Sequence, residues 1–173
     1  MSDAYSPIHE LNLLKQFEDE VPAFNLEGFE LREYNDKKAI DSWLDSDGPN
    51  KQEFLDRLIP FARASWSGSV YALWRCDDRA DLAGLPVVLL GDEGGLSVAA
   101  RDLRELFQLL AVIDEEDADE EDLDDRQAYV DWLDQNFGLA PPDDDGEVIF
   151  QAARAEYGQR FAEWTQRVES RHR

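Results

Sequence analysis

Residues 69–100, which read SVYALWRCDDRADLAGLPVVLLGDEGGLSVAA, decide the fold. The apolar segments at 70–74, 85–90 and 96–99 are rich in aromatic and β-branched residues, and they predict three strands. The connection at 91–95, GDEGG, predicts a tight turn, because glycine supplies the positive φ that hairpin turns need. Short connections of this kind favour antiparallel pairing, so the sequence predicts a β-meander.

An amphipathic helix is predicted directly after the last strand. Asp102 and Glu105 form a capping-box pair at its start. The apolar side chains of its inner face recur at helical spacing, and they are Leu103, Leu106, Phe107 and Leu110. Two further helices are predicted at 127–137 and 148–168. The positions expected to point inward on the last helix are Val148, Ala152, Ala155, Phe161, Trp164 and Val168.

The N-terminal part of the chain carries more helix than strand signals. Ser6 and Pro7 suit the cap and the first position of a helix that ends before Pro22. The elements predicted after it are a short strand at 29–34, a short helix at 36–44, and either a helical turn or a lead into a strand at 51–58.

Together these elements predict an α+β fold with a small antiparallel β-sheet in mid-chain, flanked by N- and C-terminal helices. The order SGSVYALW, LPVVLLGDEGG and VAARDLRELFQLLA resembles the SUKH superfamily, which contains bacterial toxin-immunity proteins and fungal regulators of cell-wall synthesis. The positions that carry the resemblance are Gly68, Tyr71, Trp74, Pro86, Val87, Gly91, Glu93, Gly94, Ala99, Leu103, Phe107 and Leu110.

The resemblance covers mainly residues 59–112, and residues 22–58 match the family pattern only loosely. It implies a single SUKH-like domain over residues 1–173. Within that domain we expect an acidic connector at 113–126 and a C-terminal helical extension at 127–173, packed on the rest.

Charge is the unusual property of the composition. The 173 residues include 40 Asp and Glu against 17 Lys and Arg, which gives a net charge of −23. Such a surplus excludes a direct nucleic-acid binder, because phosphate contacts need clustered cations. It also disfavours docking on anionic membranes.

Other counts exclude further classes of site. The single cysteine, Cys76, rules out a disulfide framework and a multi-cysteine metal site. His9 and His172 lie near opposite ends of the chain, so a catalytic site centred on histidine is not expected. No apolar run reaches the roughly 18 residues of a membrane span. The N-terminal sequence lacks the basic and apolar regions of a signal peptide, so we expect a cytoplasmic protein with no cofactor.

The charge is concentrated in residues 111–147, which contain 16 acids and one base, Arg126. The densest part, DEEDADEEDLDD, either forms a solvated connector or attracts a basic partner. Its carboxylates are Asp114, Glu115, Glu116, Asp117, Asp119, Glu120, Glu121, Asp122, Asp124 and Asp125. An EF-hand loop needs glycine at its sixth position, where counting from Asp114 or Asp117 puts an aspartate, so no metal site is expected.

Four other residues are candidates for partner binding. Trp66 and Tyr71 flank a turn, and exposed aromatic residues often anchor interfaces. Asp92 and Glu93 in the predicted hairpin turn extend the acidic surface. Cys76 beside two aspartates is not expected to act as a nucleophile, because acidic neighbours raise the pKa of a thiol.

The sequence therefore predicts a non-enzymatic binding protein with no catalytic residues. The SUKH resemblance implies an immunity protein that neutralises a nuclease-type toxin through its acidic surface. Two alternatives stay open: an intracellular regulatory adaptor of the cell-wall-synthesis-regulator type, and an enzyme with an unrecognised carboxylate site. The oligomeric state is not predicted.

Overall fold

The computed structural model describes residues 5–21, 29–41, 49–64, 67–91, 95–112, 120–142 and 146–169. Its α-helices are α1 (His9–Glu20), α2 (Pro49–Arg57), α3 (Leu103–Leu109), α4 (Glu120–Phe137), α5 (Glu147–Ala153) and α6 (Gln159–Glu169). A π-helical turn, Arg154–Gly158, joins α5 to α6, and short 3-10 turns lie at Lys37–Ala39 and Leu82–Gly84.

The strands form one five-stranded antiparallel sheet in sequence order. They are β1 (Glu30–Leu31), β2 (Leu58–Arg63), β3 (Val70–Trp74), β4 (Val87–Leu90) and β5 (Leu96–Ala100). The predicted α+β fold, with an antiparallel sheet in mid-chain and helices before and after it, is confirmed.

Helices cover both faces of the sheet and create two apolar cores. The first core lies against α1, α3 and α4, and the second lies against α2 and α6. Alternation along the strands supplies both cores, because successive side chains point to opposite faces. In β3, for example, Ala72 and Trp74 enter the second core and Leu73 enters the first.

Helix α5 runs from one side of the sheet to the other across the edge of β5. Ile149 lies in the first core and Ala153 in the second. The last three residues of β5, Val98 to Ala100, are at most 2% exposed. A covered edge cannot pair with another strand, so α5 protects this end of the sheet from edge-to-edge association.

Three of the predicted elements are shorter in the structure. Helix α1 begins at His9, and Ser6 instead accepts a hydrogen bond from the Ile8 amide through its hydroxyl (3.1 Å) just before the helix. The strand predicted at 29–34 is reduced to the two residues of β1. The short helix predicted at 36–44 is represented by the 3-10 turn, and residues 42–44 lie outside the described part.

Other elements extend beyond their predicted limits. Residues 51–58, left open by the sequence, belong mostly to helix α2, and the apolar run that follows forms β2. Helix α4 begins at Glu120 rather than at residue 127, so the second half of the acidic segment is helical.

The inward positions predicted for the last helix need correction at its start. Val148 is 66% exposed and Ala155 is also exposed, whereas the buried side chains are Ile149, Ala153 and Tyr157. The π-helical turn explains the shift, because it adds a residue to one turn and displaces the buried face by one position. From Phe161 onward the predicted inner face agrees with the structure.

The start of α3 offers a direct test of local stabilisation. The Asp102 carboxylate accepts a hydrogen bond from the Glu105 amide (2.9 Å), and the Glu105 carboxylate accepts one from the Arg101 amide (2.9 Å). We expect Asp102→Ala to lower the free energy of unfolding by about 1 kcal/mol, whereas Asp102→Asn keeps the acceptor and most of the stability. Urea denaturation measures the free energy of unfolding of both variants. Equal losses in the two would contradict the prediction that the Asp102 side chain stabilises the start of α3 as a hydrogen-bond acceptor.

Candidate functional site

The solvent-facing side of α4 carries a row of carboxylates. Glu120, Asp124, Asp131 and Asp134 are all exposed, and their spacing of four, seven and three residues keeps them on one face of the helix. We call these four residues the acidic row. The helix contains seven acids and one base, so its own sequence supplies little compensating charge.

The like charges at the start of α4 are compatible with a helix for an electrostatic reason. Five of the seven acids occupy residues 120–125, the first two turns. A helix N-terminus carries a partial positive charge that stabilises carboxylates nearby. This attraction offsets part of the repulsion among them and explains why residues 120–126 are helical rather than an extended connector.

Three interactions hold α4 firmly on the first core. Tyr129 is fully buried, and its hydroxyl donates a hydrogen bond to the Phe107 carbonyl (2.6 Å). The Arg126 Nε donates to the Ala111 carbonyl (2.7 Å). The Trp132 ring lies 5.4 Å from Phe17, between centroids. The acidic row therefore stands on a helix that is fixed by packing on its opposite face.

Acidic charge is distributed unequally between the two sides of the sheet. The first-core helices α1, α3 and α4 contain 12 acids and three bases. On the other side, α2, α6 and the π-helical turn contain five acids and five bases, and α5, which crosses the edge of β5, contains one acid. The net charges of the two sides are −9 and 0, so the acidic charge of these helices lies mainly on the α4 side.

The structure brings together only part of the predicted binding residues. Trp66, Asp92, Glu93 and the carboxylates from Asp114 to Asp119 lie outside the described residues. Glu121 and Asp122 are part of the α4 backbone. Glu120 and Asp124 are exposed and belong to the acidic row, whereas Asp125 is half-buried. Tyr71 is also half-buried, and its ring packs 6.2 Å from Phe29.

A second feature, which the sequence did not indicate, is an open cleft of about 710 Å³ between α2, the end of β3 and α6. Trp74 and Trp164 contribute to its lining, with ring centroids 5.7 Å apart. The four carboxylates of the lining are Glu53, Asp56, Asp77 and Asp78. Glu53 and Trp164 are 111 positions apart in the chain, so no local pattern could have joined them.

Arginine side chains engage three of these carboxylates, and the longest of the three contacts joins Arg57 Nη1 to Asp78 (3.7 Å). Glu53 accepts hydrogen bonds from Arg167 and from the indole of Trp164, and the bond from Arg167 lowers its pKa. Arg79 donates to Asp77 from Nε (2.8 Å) and Nη2 (2.6 Å), which lowers the pKa of Asp77 to about 2. A general acid needs a raised pKa, so these two groups are suited to ion pairing rather than proton transfer.

Cys76 also lines the cleft and is half-buried. Burial raises the pKa of its thiol, and the nearby Asp77 adds to this effect. The thiolate is the nucleophilic form, so both influences disfavour a nucleophilic role for Cys76.

In the described part of the chain, no three His, Cys, Asp or Glu side chains converge in a way that would hold a metal ion. None of the helices among the described residues combines the length and the apolar character needed to cross a bilayer.

Neither a family model, nor a curated protein, nor a solved structure matches this chain.

Proposed function

We propose that this chain is a non-enzymatic binding protein that neutralises a basic protein partner. The observation that carries the proposal is the acidic row on α4, four exposed carboxylates on a helix held rigidly by the first core. Following the SUKH resemblance of its sequence, we propose further that the partner is a nuclease-type toxin domain and that the chain is the matching immunity protein.

The physical argument concerns what a nuclease must present on its surface. An enzyme that binds nucleic acid needs clustered cations to contact phosphates. The acidic row runs from Glu120 to Asp134, and at the helical rise per residue these two positions are about 21 Å apart along the axis. Carboxylates along that length can occupy the positions that phosphates would take, and the surrounding negative field accelerates the encounter.

The cleft supports a binding function better than catalysis. The arginine partners of Glu53 and Asp77 lower the pKa of both carboxyl groups. In catalytic sites built on a pair of carboxyl groups, the group that acts as the general acid needs a raised pKa. The proposal also places the protein in the cytoplasm, where a nuclease would attack the nucleic acid of the cell that makes it.

A growth assay tests this function. The chain is co-expressed with the toxin domain encoded next to it, and we expect growth to be restored. The variant Glu120→Gln/Asp124→Asn/Asp131→Asn/Asp134→Asn removes the acidic row, and protection should weaken. The matched control, Glu20→Gln/Asp41→Asn/Glu156→Gln/Glu163→Gln, removes four exposed carboxylates elsewhere and should still protect.

Each outcome of this assay has a distinct meaning. Equal protection by the two variants would show that the acidic row is not needed to neutralise the toxin. Failure of the parent chain to protect against that toxin would contradict the immunity role and favour the regulatory adaptor.

A further inference from the structure

One carboxylate of the cleft between α2, β3 and α6 has no arginine partner among the described residues. Glu53, Asp77 and Asp78 each form an ion pair with an arginine. The fourth carboxylate of the lining, Asp56, is exposed and accepts a hydrogen bond from the neutral amide of Gln52 (2.8 Å). The negative charge of Asp56 is therefore available to a ligand in the cleft.

Arg75 is the corresponding cation of the same cleft. It lines the cleft and is exposed, and its hydrogen bonds to Arg57 are made by its backbone. Within the ranges that the structure describes, the guanidinium of Arg75 forms no ion pair. The chain has a net charge of −23, so a cation without a carboxylate partner is unexpected on its surface.

The backbone holds Asp56 and Arg75 close to each other. The Arg75 amide donates a hydrogen bond to the carbonyl of Arg57, the residue after Asp56 (2.7 Å). Burial lowers the pKa of Lys37, the Asp56 carboxylate raises that pKa and the Arg75 guanidinium lowers it, so both charges lie near one ammonium group. Opposite charges that are neighbours without pairing can both be neutralised by one ligand that carries an ammonium and a carboxylate group.

The size and the walls of the cleft suit a small molecule of this kind. Its volume of about 710 Å³ falls within the range of roughly 300–1,000 Å³ that is typical of ligand sites. Trp74 and Trp164 add apolar surface to the charged lining. The lining contains four acids and three arginines, so a ligand without net charge meets less repulsion than a phosphate or another multiply charged anion.

We propose that the cleft binds a zwitterionic small molecule, either a free amino acid or a short peptide, with an apolar side chain. Arg75 binds the carboxylate of the ligand and Asp56 binds its ammonium group, while the apolar side chain packs against Trp74 and Trp164. This binding goes beyond the proposed function and does not depend on it. The two tryptophans belong to the second core, whereas the acidic helix α4 packs on the first core, on the other face of the sheet.

An NMR titration of the ¹⁵N-labelled chain tests the cleft. The added compounds are leucine, phenylalanine and the dipeptide leucyl-phenylalanine. We expect the indole N–H signals of Trp74 and Trp164 to shift, and that of Trp132, which packs against the first core, to stay in place. Tighter binding of the dipeptide than of the two amino acids would identify a peptide as the ligand, and the reverse order would identify a free amino acid.

Charge-deleted analogues and variants assign the two ends of the ligand. The analogues derive from the compound that binds most tightly: its amide lacks the carboxylate, and its N-acetyl derivative lacks the ammonium group. Each should bind the parent chain about tenfold more weakly. Arg75→Gln should abolish the difference for the amide, and Asp56→Asn the difference for the N-acetyl derivative. The matched controls Arg104→Gln on α3 and Glu20→Gln on α1 neutralise exposed residues elsewhere and should keep both differences.

Three results would overturn the proposal. The first is the absence of a shift in both cleft indole signals with all three compounds. The second is equal binding of the zwitterion and its two analogues by the parent chain. The third is a tenfold difference that persists in the variant expected to abolish it, because another group would then bind that end of the ligand.

Discussion

The Phe107→Ala variant is expected to lose about 3–5 kcal/mol of unfolding free energy. Phe107 on α3 is completely buried in the first core. Its ring lies 6.0 Å from Trp132 and 5.7 Å from Phe137, both on α4. Truncation removes the ring's burial and leaves a cavity that neighbouring aromatic groups fill only in part, and these two effects add.

Phe137→Ala provides the matched control for this prediction. The two rings are neighbours, but Phe137 is half-buried at the end of α4, so its truncation exposes less of the core. We expect a clearly smaller loss, about 1–2 kcal/mol. Urea denaturation followed by tryptophan fluorescence measures both variants. A Phe107→Ala loss below that of Phe137→Ala would show that the fully buried Phe107 ring stabilises the fold less than the half-buried ring beside it, which would contradict the prediction.

The middle of the chain was predictable because its signals are local. Strand propensity, glycine-rich turns and a capping pair act within a few residues of one another. They placed β3, β4, β5 and the start of α3 within two residues of their observed positions. Asp102 accepts the bond from the Glu105 amide that the capping-box pattern predicts.

Long-range effects account for the elements that the sequence did not locate. The strand β2 contains Pro60, which discourages a strand prediction, yet this residue pairs with Ala72 beside an irregularity in the register. The exposure of Val148 follows from the π-helical turn, which ordinary helical spacing does not anticipate. In each case the fold overrides a local preference.

The candidate site was only partly predictable. Composition located the acidic charge along the chain, but not the helix that arranges Glu120 and Asp124 with Asp131 and Asp134 on one face. Those last two residues lie beyond the densest acidic segment, and only the extended α4 joins them to it. The cleft was unpredictable from local patterns, because Glu53 and Arg167 are 114 positions apart in the chain.

The acidic row should control how fast the partner binds rather than how long it stays. We expect the four-residue variant Glu120→Gln/Asp124→Asn/Asp131→Asn/Asp134→Asn to associate with the proposed toxin partner about 10–100 times more slowly at low salt. Its dissociation rate should change less, because the residence time of a complex depends mainly on a few well-packed contacts. Stopped-flow fluorescence measures both rates.

Salt and a charge-matched variant distinguish a local effect from one of total charge. Both four-residue variants reduce the −23 of the chain by four charges. If only total charge mattered, Glu20→Gln/Asp41→Asn/Glu156→Gln/Glu163→Gln would slow association equally. We expect it to slow association much less, because screening over a Debye length of about 10 Å makes nearby charges dominate at 0.1 M salt. The gap between the variants should close toward 1 M salt, and a gap that persists there would mean that the four substitutions removed contacts rather than an attractive field.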